Sequence, residues 1–169
     1  MRDAITGQKC WLCGQRLGAY KAFVVGPMCA VNRVSSEPPS HRECAEFAAR
    51  ACPFLTQPRM RRNEKDVPED AHEPGGLMIR RNPGVALVWT TREFNAFRAP
   101  GGVLFRIGEP DHVHWYAQGR DATRDEVMAS IESGLPILRQ AAQEDGPRGV
   151  QALERGLAAA LRLVPGEAP

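Results

Sequence analysis

The chain has no long apolar run, few lysines and no internal repeat, and each shortage excludes something. No stretch approaches the roughly 20 consecutive apolar residues needed to cross a bilayer. Residues 1–9, Met-Arg-Asp-Ala-Ile-Thr-Gly-Gln-Lys, hold no apolar core of the kind a secretory signal peptide carries. Cytoplasm is therefore the expected compartment, with no membrane partner. Only Lys9, Lys21 and Lys65 supply lysine among 22 cations, and the other 19 are Arg. Arg grips phosphate and carboxylate in a planar, bidentate fashion, but an Arg- and Ala-rich composition also follows from a GC-rich genome. Gly-rich phosphate loops, a Ser/His/Asp order and a kinase-type set are all missing.

What is present starts with cysteine. Five cysteines, an odd number, in a chain expected in the cytoplasm point to metal or redox chemistry rather than disulfides. Cys10-Trp11-Leu12-Cys13-Gly14 has the form of a zinc knuckle, in which two thiolates grip one metal and Gly14 allows the tight turn that follows. Downstream, Ser40-His41-Arg42-Glu43-Cys44 reads as the first turn of a helix. Ser40 is the expected N-cap and Glu43 its capping-box partner, Pro38 and Pro39 keep the approach extended, and Pro53 ends the helix. His41 and Cys44 then stand i and i+3 on one face. Cys10, Cys13, His41 and Cys44 make a Cys3His set that fills a tetrahedral zinc shell and leaves no open position for water, so the expected role is structural.

Other assignments compete for these residues. Cys29 could replace His41 as fourth ligand; Cys52, eight residues beyond Cys44 on the helix, reads as a small buried hydrophobe. A thioredoxin-like use of the CxxC pair finds no βαβ pattern around it.

Between the two ligand pairs lie 27 residues. Tyr20 to Val25 forms a β-prone run ending at Gly26-Pro27, and Met28–Val34 is expected as its partner strand. Knuckle, hairpin and ligand-bearing helix together resemble the treble-clef zinc finger over residues 8–54. The resemblance implies knuckle ligands Cys10 and Cys13 and helix ligands His41 and Cys44, and an architecture that serves many unrelated functions. Gly26-Pro27-Met28-Cys29-Ala30, Glu37-Pro38-Pro39-Ser40-His41 and Trp115-Tyr116-Ala117-Gln118-Gly119-Arg120 also resemble an uncharacterised family of small proteins from bacteria and their phages, to which no activity attaches.

The remainder divides in two. Residues 55–82, rich in Pro, Gly and charge, form an irregular connector. Residues 83–169 are expected to hold a small three-stranded antiparallel sheet, with strands at Val85–Thr91, Val103–Gly108 and His112–Tyr116, packed by C-terminal helices. Arg92 to Phe97 reads as a short helical or turn segment. Thr123-Arg124-Asp125-Glu126 is a capping box opening a helix that Gly134 closes; a second helix starts at Leu135-Pro136, and a third follows Pro147 to about Val164. The expected fold class is α+β: an N-terminal treble-clef-like zinc module (1–54), the connector (55–82), and the small sheet with its helices (83–169).

Two further constellations carry functional readings. Residues 1–62 hold ten Lys/Arg against four Asp/Glu, and Arg42, Arg50, Arg59, Arg61 and Arg62 form a basic cluster for nucleic acid or another partner. Against this stands a solvated connector whose cations pair with Glu64, Asp66, Glu69 and Asp70. His112 and His114 alternate on a strand and share a face, a geometry some metal enzymes use, with Asp111, Glu109 or His72 as further ligands. Against this stand two solvent-facing histidines whose neighbours Val113 and Trp115 point inward. The reading reached is a zinc-stabilised, cytoplasmic, non-enzymatic binding or adaptor protein that engages another protein, with a phage or prophage setting. Nucleic-acid binding through the basic half is the first alternative, and a metal enzyme at His112 and His114 the second.

Overall fold

The computed structural model describes residues 2–6, 8–58, 60 and 82–166. Elements run α1 (Arg2–Ile5), β1 (Lys21–Val25), α2 (Pro27–Asn32), β2 (Val34–Ser35), α3 (Arg42–Ala51), α4 (Pro53–Thr56), β3 (Ala86–Thr91), β4 (Phe94–Ala99), β5 (Gly102–Ile107), β6 (His112–Ala117), β7 (Arg120–Asp121), α5 (Arg124–Glu144) and α6 (Pro147–Leu161). The fold is α+β with two antiparallel sheets, ordered β1-β3-β6-β7 and β2-β5-β4.

β3 is buried along its whole length because both faces of the first sheet are covered. On one face α3 lays Ala45 and Ala49 against Ala22, Val88 and Tyr116. The opposite face turns Phe23, Val25, Leu87, Trp89 and Trp115 into the main core, with side chains of α2, α5, α6 and the second sheet. Phe23, Phe94 and Phe105 meet there with ring centroids 5.8–6.3 Å apart, joining the two sheets. Both core indoles find acceptors: Trp89 donates to the Gly108 carbonyl and Trp115 to that of Leu163.

Several local expectations are overturned by tertiary pairing. Met28–Val34 does not return as a hairpin strand. Gly26-Pro27 places Pro at the first position of α2, where its missing N–H costs nothing. Arg33, left-handed at φ 53°, then turns the chain into β2. The partner of β1 is β3, paired from Lys21↔Thr91 to Val25↔Leu87. Residues 92–97 are not helical either: β4 forms a hairpin with β5 around Pro100-Gly101, pairing Phe94↔Ile107 through Ala99↔Gly102.

At the C-terminal end, Gly134 does not stop a helix. α5 is continuous with Pro136 inside it, because Val127, Ile131, Leu135, Leu138 and Ala142 form one buried stripe that outweighs both breakers. Its start is as expected: Thr123 Oγ1 accepts from the Glu126 amide, and Glu126 accepts from the Thr123 amide. α6 packs so closely on α2 that a methyl group at Gly156 would collide with the Val31 carbonyl.

Candidate metal centre

The knuckle is a tight hairpin. Lys9 and Arg16 bridge its base, the Cys10 amide donates to Gln15 O at 2.7 Å, and Gly14 sits at φ 72°. Ser40 does not cap α3. Its backbone pairs with Ala22 in both directions at 2.8 Å, extending the sheet edge beside β1, and its side chain hydrogen-bonds the Cys10 thiol. The Pro38-Pro39 extension runs one residue further than expected, so His41 is the N-cap, with φ −65° and ψ 152° and no side-chain cap bond. The expected capping box with Glu43 is therefore absent from this turn. Cys44 remains three residues after His41, and α3 breaks at Cys52 before Pro53.

These elements bring the four predicted ligands together: the Cys10, Cys13 and Cys44 sulfurs and a His41 ring nitrogen all lie within 4.8 Å of one another. His41 Nδ1 is 3.3 Å from Cys13 Sγ and 3.9 Å from Cys44 Sγ. A tetrahedral zinc with its usual bonds sets nitrogen and sulfur about 3.6 Å apart and two sulfurs about 3.8 Å apart. The donor set and its spacing therefore fit one tetrahedral ion. The supporting hydrogen bonds fit as well. His41 Nε2 lies 2.9 Å from the Arg16 carbonyl and donates to it, leaving Nδ1 free to ligate. The amides of His41 and Cys13 point at Cys10 Sγ from 3.3 and 3.5 Å.

Those bonds set the thiol chemistry of the metal-free site. Burial pushes Cys10 up, but the amides of Cys13, His41 and Leu12 and the Ser40 hydroxyl outweigh it and bring it down to about 6. Cys44 is pushed up to about 12 by burial and by Cys13 and Cys10 beside it. His41 is raised, first because the Arg16 carbonyl stabilises its charged form. A cation entering here meets one thiolate ready to bind and must displace protons from its neighbours. Cys29 is outside the cluster, on the exposed side of α2. Cys52 is half-buried at the end of α3.

The other candidates sit apart from this centre. Arg42, Glu46 and Arg50 follow one another at four-residue spacing along α3, on the side facing β6. Arg42 donates to Glu46 Oε1 at 2.7 Å and to His112 Nε2 at 3.0 Å, while the Arg50 guanidinium lies 5.1 Å from the Tyr116 ring centroid. A four-residue helical step rises about 6.0 Å and a two-residue strand step about 6.8 Å, which keeps the two rows in register. His112 and His114 share a face, as expected, with ring centroids 6.4 Å apart. They do not aim at a common point, since His112 faces Arg42 and His114 Nε2 faces Asp121 Oδ1 at 2.8 Å. Among the described residues only the Cys3His set gathers three or more ligands at metal distance. Arg59, Arg61, Arg62 and His72 lie outside the described residues.

Sequence reasoning missed Ser40 as a sulfur donor and the Arg16 carbonyl as the anchor of His41. Neither carried a signal, because both act through folding of the knuckle onto β1. No helix among the described residues is long and apolar enough to cross a membrane. Comparison with protein-family models, curated proteins and solved structures gives no match.

Proposed function

We propose that Cys10, Cys13, His41 and Cys44 hold one structural zinc ion, and that the protein is a zinc-stabilised cytoplasmic binding protein whose partner is another protein. The observation that carries this reading is the convergence of four N/S donors within 4.8 Å, one of them already held as an anion acceptor by surrounding amides. Four protein ligands complete a tetrahedron, so the ion polarises no substrate and activates no water. Its work is mechanical: it ties the knuckle to the start of α3, whose own apolar packing is slight.

Metal analysis of the purified protein tests it directly. The expected result is one zinc per chain, lost in Cys44→Ser and retained in a His112→Ala/His114→Ala double variant. A wild-type protein that purifies metal-free and binds no added zinc would overturn the reading.

A further inference from the structure

Folding around the centre turns the two residues between the knuckle cysteines outward. Because the amides of Leu12 and Cys13 point back at Cys10 Sγ, the chain curls around the sulfur and the side chains at positions 11 and 12 project away from it. The residues placed there are Trp11 and Leu12, 39% and 50% exposed. Neither ligation nor the turn requires an apolar side chain at either place. Scattered apolar residues are ordinary on a surface, but these two are adjacent at the tip of a hairpin that the metal makes rigid.

The base of the same hairpin carries the second observation. Lys9 and Arg16 stand directly opposite each other across the bridge, a like-charge arrangement that disfavours the hairpin. Asp3 compensates Lys9 at 2.9 Å, while the Arg16 side chain has no ion-pair partner among the described residues.

We infer that the knuckle tip is a docking surface for an acidic protein segment with an apolar anchor. The anchor is taken by Trp11 and Leu12, and a flanking carboxylate by Arg16. This names the partner class for the binding protein proposed above and rests on that reading. An exposed tryptophan on a rigid turn has the character of an interface hot spot, and the Arg16 cation supplies steering and specificity. A single-stranded nucleic acid would use the indole for stacking but has no use for Leu12, and so is the less favoured occupant.

The test pans a displayed library of random short peptides on zinc-loaded wild-type protein, with a Trp11→Ala/Leu12→Ser variant as the counter-selection. Enrichment of sequences joining Asp/Glu to aromatic or aliphatic residues is expected. A synthetic peptide of the enriched type should lose about thirtyfold in affinity to Trp11→Ala, in line with a hot-spot residue. It should weaken again with Arg16→Glu and with added salt. Zinc content and thermal stability of each variant are measured alongside, which separates failure of the surface from failure of the metal reading. Four results would overturn the inference: no enrichment against the counter-selection, enrichment of basic peptides, equal binding by Trp11→Ala, or a single-stranded oligonucleotide binding more tightly than any peptide.

Discussion

Removing the metal with a chelator is expected to unravel the knuckle and α3 while leaving the first sheet standing. α3 buries only Ala45 and Ala49 against the sheet. Two buried methyl groups contribute about 1.6 kcal/mol, whereas ordering ten residues of backbone costs on the order of 10 kcal/mol before helical hydrogen bonds are counted. A structural zinc supplies roughly 10–16 kcal/mol in apparent terms, enough to close that gap. β1 is held differently: Phe23 and Val25 belong to the main core, and its backbone is paired along β3. The boundary of the zinc-dependent region therefore falls within residues 8–54, on either side of β1. Hydrogen exchange read by mass spectrometry resolves this. After chelation, amides of residues 9–16 and 41–51 should lose protection, while those of 23, 25, 86–91 and 112–117 keep theirs. Unchanged protection at 9–16 and 41–51, with zinc shown to have left, would refute the argument; so would loss of protection throughout the sheet.

Zinc affinity should rise at least tenfold per pH unit near neutrality, because Cys44, pushed up to about 12, must release at least one proton when metal binds. Competition with a chromophoric chelator across a pH series measures it. Thr123→Ala should cost about 1 kcal/mol by removing the cap of α5. Glu126, held down to about 2 first by Arg120 and then by the Thr123 amide, has a lowered folded value. Its contribution is therefore complete above the ordinary carboxylate range and lost as pH falls through about 2, so the stability gap between wild type and Glu126→Gln should shrink over that window in urea titrations. Gly156→Ala should lower thermal stability by about 1–3 kcal/mol, since the added methyl meets the Val31 backbone rather than a side chain that can move aside.

What the sequence determined by itself is local. Cys10 and Cys13, and His41 and Cys44, come as pairs whose spacing already places two donors together, so the members of the Cys3His cluster were legible before any fold was known. Thr123 and Glu126 satisfy each other's backbone within one turn, and Ala86–Thr91 is apolar enough to specify a buried strand alone. What only the tertiary structure decided is long-range. Ser40 has the side chain of a good cap, yet pairing with Ala22 holds it extended and gives its hydroxyl to Cys10. Gly26-Pro27 is as good a helix start as a strand end, and β3, some sixty residues downstream, took the place beside β1 that Met28–Val34 was expected to fill. Gly134 and Pro136 break helices in isolation, but a buried stripe running from Val127 to Ala142 makes one continuous helix more favourable than two. A cap or a mid-helix glycine is worth about 1 kcal/mol and a mid-helix proline about 3; burial of a full apolar stripe is worth more than their sum, so wherever the two disagreed the core prevailed.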